Sequence, residues 1–325
     1  MVNLGIQILR SILCFWIICY HCLNDKKINY LTHYITKKKR YHVPCFCFIS
    51  FFFSYNIFSD RNIIKFKKRI ERLLISYVLW PLIIMFFEFF TFNNSISFRK
   101  YIVQIILGTK FIVPHWYLFS MITSSIFIFI ISIIFKINFL YVIQLIAVFT
   151  IGIQYSYVSR ILKFVKKYEH SVKFTILHSL GAFPIFVFGL TISSIKIIEI
   201  LRRNRWKVIF FSYIIIFYLF KYNIFKELYG YNGVVPCIIS FFFFLGFYLL
   251  PLENTFTWIQ ITIEELSNYT NGIYCMHQRI NLLFIKKLHL SGNLKTVVMI
   301  YLLSYLLSFF GMKVFGKTKL KYLFI

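Results

Sequence analysis

The chain has 325 residues, of which 59% are hydrophobic and 14% charged, against about 25% charge in a soluble domain. That composition excludes a water-soluble enzyme and a disordered chain, and leaves a polytopic membrane protein. The formal net charge of +27 points away from nucleic acid, because the basic residues fall in short connections between apolar runs, where they face lipid headgroups.

Unbroken apolar runs, such as Ile122–Phe135 and Ile238–Leu250, lack the alternation of an outer-membrane β-barrel. Helices satisfy their own backbone hydrogen bonds in lipid, so the expected fold is all-α, a polytopic membrane helix bundle of about ten transmembrane helices. The predicted spans lie at about 4–23, 43–59, 73–93, 116–135, 138–156, 174–194, 207–221, 234–251, 267–285 and 295–313. Connections are short, so 1–325 reads as one integral-membrane domain with its core at about 4–313 and no separate soluble domain. The first run has no basic segment before Arg10 and no small-x-small cleavage site, so it reads as a permanent span. Basic residues divide nearly evenly between the two sides, and charge alone does not orient the chain.

The first span holds Arg10 and His21. Eleven residues apart, they differ by about 20° around a helix and about 16 Å along it, so both project from one face. An intramembrane ionisable residue is a functional hypothesis by default, and His exchanges protons near neutral pH. The other reading of the pair has Arg10 snorkelling to the interface while His21 caps the far end. Cys19 and Cys22 have the spacing of a redox or metal pair. No second pair follows at zinc-ribbon spacing, so no metal is expected, and the seven cysteines read mostly as small hydrophobes.

Farther along, Val43-Pro44-Cys45-Phe46-Cys47-Phe48-Ile49-Ser50 enters the second predicted span. Lys65, Lys68, Arg69 and Arg72 then form a basic cluster, with the two arginines at i and i+3. It suits a diphosphate or 3′-phosphate, since Arg binds phosphate oxygens in a fork; lipid anchoring is the alternative. Pro114-His115-Trp116-Tyr117-Leu118 opens the fourth span with interfacial aromatics. Asn271-Gly272-Ile273-Tyr274-Cys275-Met276-His277 lies in the ninth, where Gly272 permits close helix packing. Glu88 and His178, inside apolar runs, read as satisfied polar contacts, with a groove-lining role as the other option.

Taken in order, these pieces resemble membrane acyltransferase family 3, the integral-membrane O-acyltransferases of bacterial surface carbohydrates (capsule, O-antigen, exopolysaccharide). The resemblance rests on Arg10-x₁₀-His21, the Val43–Ser50 entry, Arg69-Ile-Glu-Arg72, His115-Trp-Tyr-Leu and Gly272-Ile-Tyr-Cys-Met-His277. It covers about residues 4–312. Two features depart from the family pattern: Phe51-Phe52-Phe53 stands where a glycine is usual after Ile-Ser, and a Gly-Gly run before the second span is missing.

The resemblance implies transfer of an acyl group, most often acetyl, from cytoplasmic acyl-CoA to a sugar hydroxyl. His21 would then be the base or transient acyl carrier, with Arg10 orienting the donor or steadying the oxyanion. Arg69 and Arg72, with Lys68, would grip CoA phosphates. His115, Trp116 and His277 would support the site. No permanently bound cofactor, metal or nucleic acid is implied; the partners are acyl-CoA, a surface carbohydrate or its lipid-linked precursor, and membrane lipid. The expected location is the plasma (inner) membrane, multi-pass, with both termini cytoplasmic. A polysaccharide or lipid-linked-sugar transporter or flippase is the alternative class, but no half-to-half repeat is visible. A polymerase would carry a large extracytoplasmic loop, and no connection here is that long.

Overall fold

The computed structural model describes residues 3–22, 42–92, 115–167, 172–195, 197–221, 234–252, 255–284 and 294–324. Most of these residues are helical, and there is no strand among them. The α-helices are α1 (Leu4–Cys22), α2 (His42–Phe52), α3 (Tyr55–Ser59), α4 (Ile63–Phe92), α5 (His115–Phe135), α6 (Phe139–Lys167) and α7 (Val172–Ser194). They continue with α8 (Ile197–Arg202), α9 (Arg205–Lys221), α10 (Val234–Tyr248), α11 (Thr257–Asn268), α12 (Thr270–Leu282) and α13 (Leu294–Phe315), followed by a 3₁₀ turn at Lys319–Leu323.

Among the described residues, the stretches Leu4–Cys22, Trp116–Ile153 and Leu294–Phe315 are long and apolar enough to cross a membrane, and His42–Phe52, His178–Ser194 and Cys237–Tyr248 are shorter apolar helices. The protein is thus an all-α, polytopic membrane protein. Its helices turn large apolar side chains outward, as lipid-facing surfaces do. Ile126, Ile130 and Ile134 are exposed along α5, while Ser124, Ser125 and Ser132 on the same helix are buried. Small inward hydroxyls let helix backbones approach; Ser120 Oγ meets Ser179 Oγ of α7 at 2.7 Å.

Several boundaries differ from those expected. The basic stretch 61–72 reads as a connection, yet α4 starts at Ile63 and carries Lys65 through Arg72 on its first turns. Lys, Arg, Glu and Leu are good helix formers, so a charged stretch next to an apolar one extends the helix. The same holds for α11, most of which falls in the connection expected between the spans at about 234–251 and 267–285 and which carries Glu264 and Glu265. The second predicted span divides into α2 and α3; α2, with 11 residues, is about 16 Å long, well short of a hydrocarbon core about 30 Å thick. Between α5 and α6 the chain turns through three residues, Lys136–Asn138, with Lys136 at a positive φ of 45°.

The chain divides into two compact units, one of residues 1–46, 196–227 and 238–325, the other of 47–195 and 228–237. In the second unit, α5 packs against α4, α6 and α7. Phe51, fully buried, stacks on Phe186 at 4.3 Å and on Phe58 at 6.0 Å. The aromatic triplet that departs from the family pattern therefore fills a packed core at two of its positions, Phe51 and Phe52, while Phe53 is exposed.

In the first unit, α1 packs on α11, α12 and α13. Contacts of Arg10 with Thr270 and of His21 with Gln278 show that α1 and α12 run parallel. The approach of Gly272 to Ser308 and of Phe15 to Tyr301 sets α13 antiparallel to both. Residues 319–324 return to the start of α12, where Gly272 N–H donates to the Phe324 carbonyl at 3.3 Å and Asn271 Nδ2 donates to the carbonyls of Tyr322 and Leu323. A Cβ on Gly272 would collide with the Ser308 side chain and the Phe324 backbone, whereas one on Gly152 would meet nothing within 4 Å among the described residues. Gly272→Ala is expected to destabilise the protein by about 1–3 kcal/mol. Gly152→Ala is expected to be neutral or to gain up to ~1 kcal/mol of helix propensity. Thermal midpoints of the two variants in detergent check the contrast; equal midpoints would refute it.

Candidate functional site

The site is assembled from α1 and α12. α12 is the least apolar helix of the first unit, with Thr270, Asn271, His277, Gln278, Arg279 and Asn281 within 13 residues. Yet Thr270, His277 and Asn281 are buried. A polar helix that hides its polar side chains is holding them against something, since burying an unpaired polar group is costly.

Both ionisable residues of α1 face this helix, and they do so at its opposite ends. The Arg10 guanidinium donates to Thr270 Oγ1 at 2.8 Å, and that hydroxyl donates on to the Ser267 carbonyl at 2.9 Å. Arg10 therefore ties α1 to the junction of α11 and α12. His21 lies eleven residues later, about 16 Å along the helix. There the Gln278 amide Nε2 sits 3.2 Å from both ring nitrogens. Asn281 Nδ2 donates to the His21 main-chain carbonyl at 3.3 Å. The His21 and His277 rings lie 5.3 Å apart, centroid to centroid, tilted by 37°.

His277 is fully buried. Its Nδ1 lies 2.6 Å from the Tyr274 carbonyl and 3.3 Å from that of Ile273. A carbonyl only accepts, so Nδ1 carries the proton and donates it, which leaves the lone pair on Nε2. Neither Nε2 of His277 nor Oδ1 of Asn281 has a hydrogen-bond partner among the described residues. A third imidazole, His42 at the start of α2, is also buried; its ring lies 5.7 Å from that of Tyr20, which in turn meets His21 edge-on at 5.0 Å.

The basic cluster of α4 is not one site. Arg69 points inward, donating from Nε to Ser125 Oγ at 3.2 Å, from one terminal nitrogen to Ser54 Oγ at 2.7 Å and from the other to Ser50 Oγ at 3.1 Å. Its guanidinium also lies 4.9 Å above the Phe51 ring. Arg69 thereby joins α2, the turn before α3, α4 and α5 within the second unit. Lys65, Lys68 and Arg72 are exposed. Trp116 is buried, 4.9 Å from His178 in an edge-on contact. His115 opens α5, but its side chain, like that of Glu88, lies outside the described residues.

Gln278, Asn281 and Thr270 were not among the residues expected to act. The available signal was their position: polar residues on either side of the Gly272–His277 stretch, on a helix too polar to face lipid. Chemically, the α1–α12 contact offers two neighbouring imidazoles, one with its tautomer fixed by the main chain, in a half-buried setting suited to taking a proton from a weakly acidic group.

A family model described as an acyltransferase domain matches residues 3–316. Among curated proteins and among solved structures, nothing matches.

Proposed function

Because the chain belongs to acyltransferase family 3, we propose that it moves an acyl group, acetyl first of all, from acyl-CoA to a hydroxyl of a cell-surface carbohydrate or its lipid-linked precursor. The observation that carries this reading is His21, half-buried where α1 meets α12, with Gln278 and His277 against its ring. A sugar hydroxyl is a poor nucleophile until a base takes its proton in the transition state. A positioned His contributes ~10²–10⁴-fold to such a step. As the hydroxyl oxygen bonds to the thioester carbon, its proton passes to His21; the C–S bond breaks, and the CoA thiolate leaves with that proton.

Arg10 is too far along α1 to share the reacting group with His21, and its bond to Thr270 gives it the work of holding α12 in register. Donor phosphates fit the exposed Lys65, Lys68 and Arg72 better than Arg69, whose three nitrogens already face serine hydroxyls. In this reading the basic start of α4 faces the cytoplasm, where CoA is found, in the plasma membrane. Both ends of the chain would lie on that side, in keeping with α13 running antiparallel to α1.

The test is a proton NMR spectrum of the surface polysaccharide from cells with and without the gene, before and after mild base. Signals of O-acetyl groups are expected only with the gene, and are expected to vanish on base treatment. An unchanged acetylation pattern with less polymer at the surface would overturn the reading in favour of export.

A further inference from the structure

The buried Nε2 of His277 is an acceptor that nothing among the described residues satisfies. Native proteins rarely keep such an atom, and each one calls for a reason. Here the reason lies in the neighbouring ring. His21 holds one N–H when neutral and two in the midst of turnover, after it has taken a hydroxyl proton. Gln278 cannot say which nitrogen should carry the resting proton, since its amide stands 3.2 Å from both. His277 can, because its own Nδ1–H is committed to the Tyr274 carbonyl and its Nε2 can only accept. Two imidazoles joined by a single N–H···N bond have centroids about 5 Å apart, given a bond of about 3 Å. The observed separation is 5.3 Å, so the rings stand at the distance such a bond requires, and turning the two nitrogens toward each other forms it.

We infer that His277 is a positioning residue for acyl transfer: Nε2 accepts the N–H of His21, fixes its tautomer and turns the other, basic nitrogen toward the acceptor hydroxyl. The inference rests on His21 being the base. It supplies the third group that a nucleophile–base pair requires, a partner that orients the base. A neutral imidazole anchored to the main chain fills the place that a carboxylate fills in a serine-hydrolase triad. His277 ends each turnover unchanged, because the hydroxyl proton goes to His21 and leaves with the CoA thiol.

Three substitutions separate the roles. His277→Asn keeps a donor for the Tyr274 carbonyl but cannot place an acceptor where Nε2 lies. His277→Gln places its Oε1 there. His277→Leu does neither. Membranes containing the full chain are assayed for transfer of radiolabelled acetyl from acetyl-CoA to endogenous carbohydrate as base-labile label, with the amount of inserted protein measured in parallel. Asn and Leu are expected to lower the maximal rate roughly ten- to hundredfold, the worth of a hydrogen bond to a charged group, with the acetyl-CoA KM unchanged. Gln is expected to restore most of the rate. A second readout is independent of turnover: diethyl pyrocarbonate modifies the unprotonated imidazole nitrogen, and its rate at His21, followed by peptide mass spectrometry, is expected to fall severalfold in Asn but not in Gln. If Leu does not insert, Asn and Gln alone carry the comparison. Wild-type rates in Asn, with His21→Ala inactive, would overturn the inference and leave the function intact. Equal losses in Asn and Gln with His21 modification unchanged would reduce His277 to packing and also overturn it. Wild-type transfer by His21→Ala would remove His21 as the base and overturn the inference with it, whereas no transfer by the unmodified chain would overturn the proposed function itself.

Discussion

His21→Ala is expected to abolish acyl transfer, with a loss on the order of 10²–10⁴-fold, while the chain still inserts and accumulates. The two halves of that outcome have separate physical grounds. The imidazole is the only part of residue 21 that can take a proton, so its removal leaves the acceptor hydroxyl without a base. The packing of α1 on α12 survives, because Asn281 is bonded to the main-chain carbonyl of residue 21 and Arg10 holds Thr270 at the other end. Surface O-acetyl content, read against the amount of protein in the membrane, checks both halves. A variant that acetylates normally would remove His21 from the mechanism. One that disappears from the membrane would assign it to folding.

Arg69→Ala and Arg72→Ala are expected to part company, although the two residues share one motif. Arg69 makes three hydrogen bonds to serines on neighbouring elements. Bonds from a charged donor are worth about 1.5–3 kcal/mol each, although deleting a buried charge recovers part of that sum through relief of desolvation. A net loss of about 2–4 kcal/mol is expected, which lowers the thermal midpoint in detergent by roughly 5–10 °C. Arg72 is exposed, and its replacement is expected to leave the midpoint within about 1–2 °C, in line with ordinary surface substitutions. Together with Lys68→Ala, Arg72→Ala is instead expected to raise the acetyl-CoA requirement. Thermal melts and donor titrations on the same membrane extracts measure the two effects. Equal midpoints for the two arginine variants would refute the inward role of Arg69.

The features that follow from helical periodicity were legible in the sequence. Arg10 and His21 share a face because eleven residues nearly close three turns, and that face meets α12. Gly272 promises a close approach because it has no Cβ, and Ser308 comes up against it. What periodicity does not carry is the partner. Gln278 reaches His21 across 257 positions of chain, and Asn281 across 260. No local pattern specifies a contact between residues so far apart. Arg69 was misleading for the same reason. At i and i+3 it pairs with Arg72 on paper, but the three serines that draw it inward come from other parts of the second unit. Helix ends in charged stretches were lost because Lys, Arg and Glu serve equally well as solvated loop and as helix, and only neighbouring structure decides.

The pairing of the first helix with one near the end of the chain has a consequence for biogenesis. Ribosomes add about 5–20 residues per second, so α1 sits in the lipid for roughly 13–50 s before α12 exists to meet it. During that wait Arg10 and His21 have no Thr270, Gln278 or His277 to engage. The nascent chain must therefore shelter a guanidinium and an imidazole at membrane depth, held by the insertion machinery or by lipid headgroups drawn inward. A chain truncated short of residue 270 would insert α1 without the Thr270, Gln278 and His277 that its Arg10 and His21 meet, and its exposed guanidinium would mark it for membrane quality control.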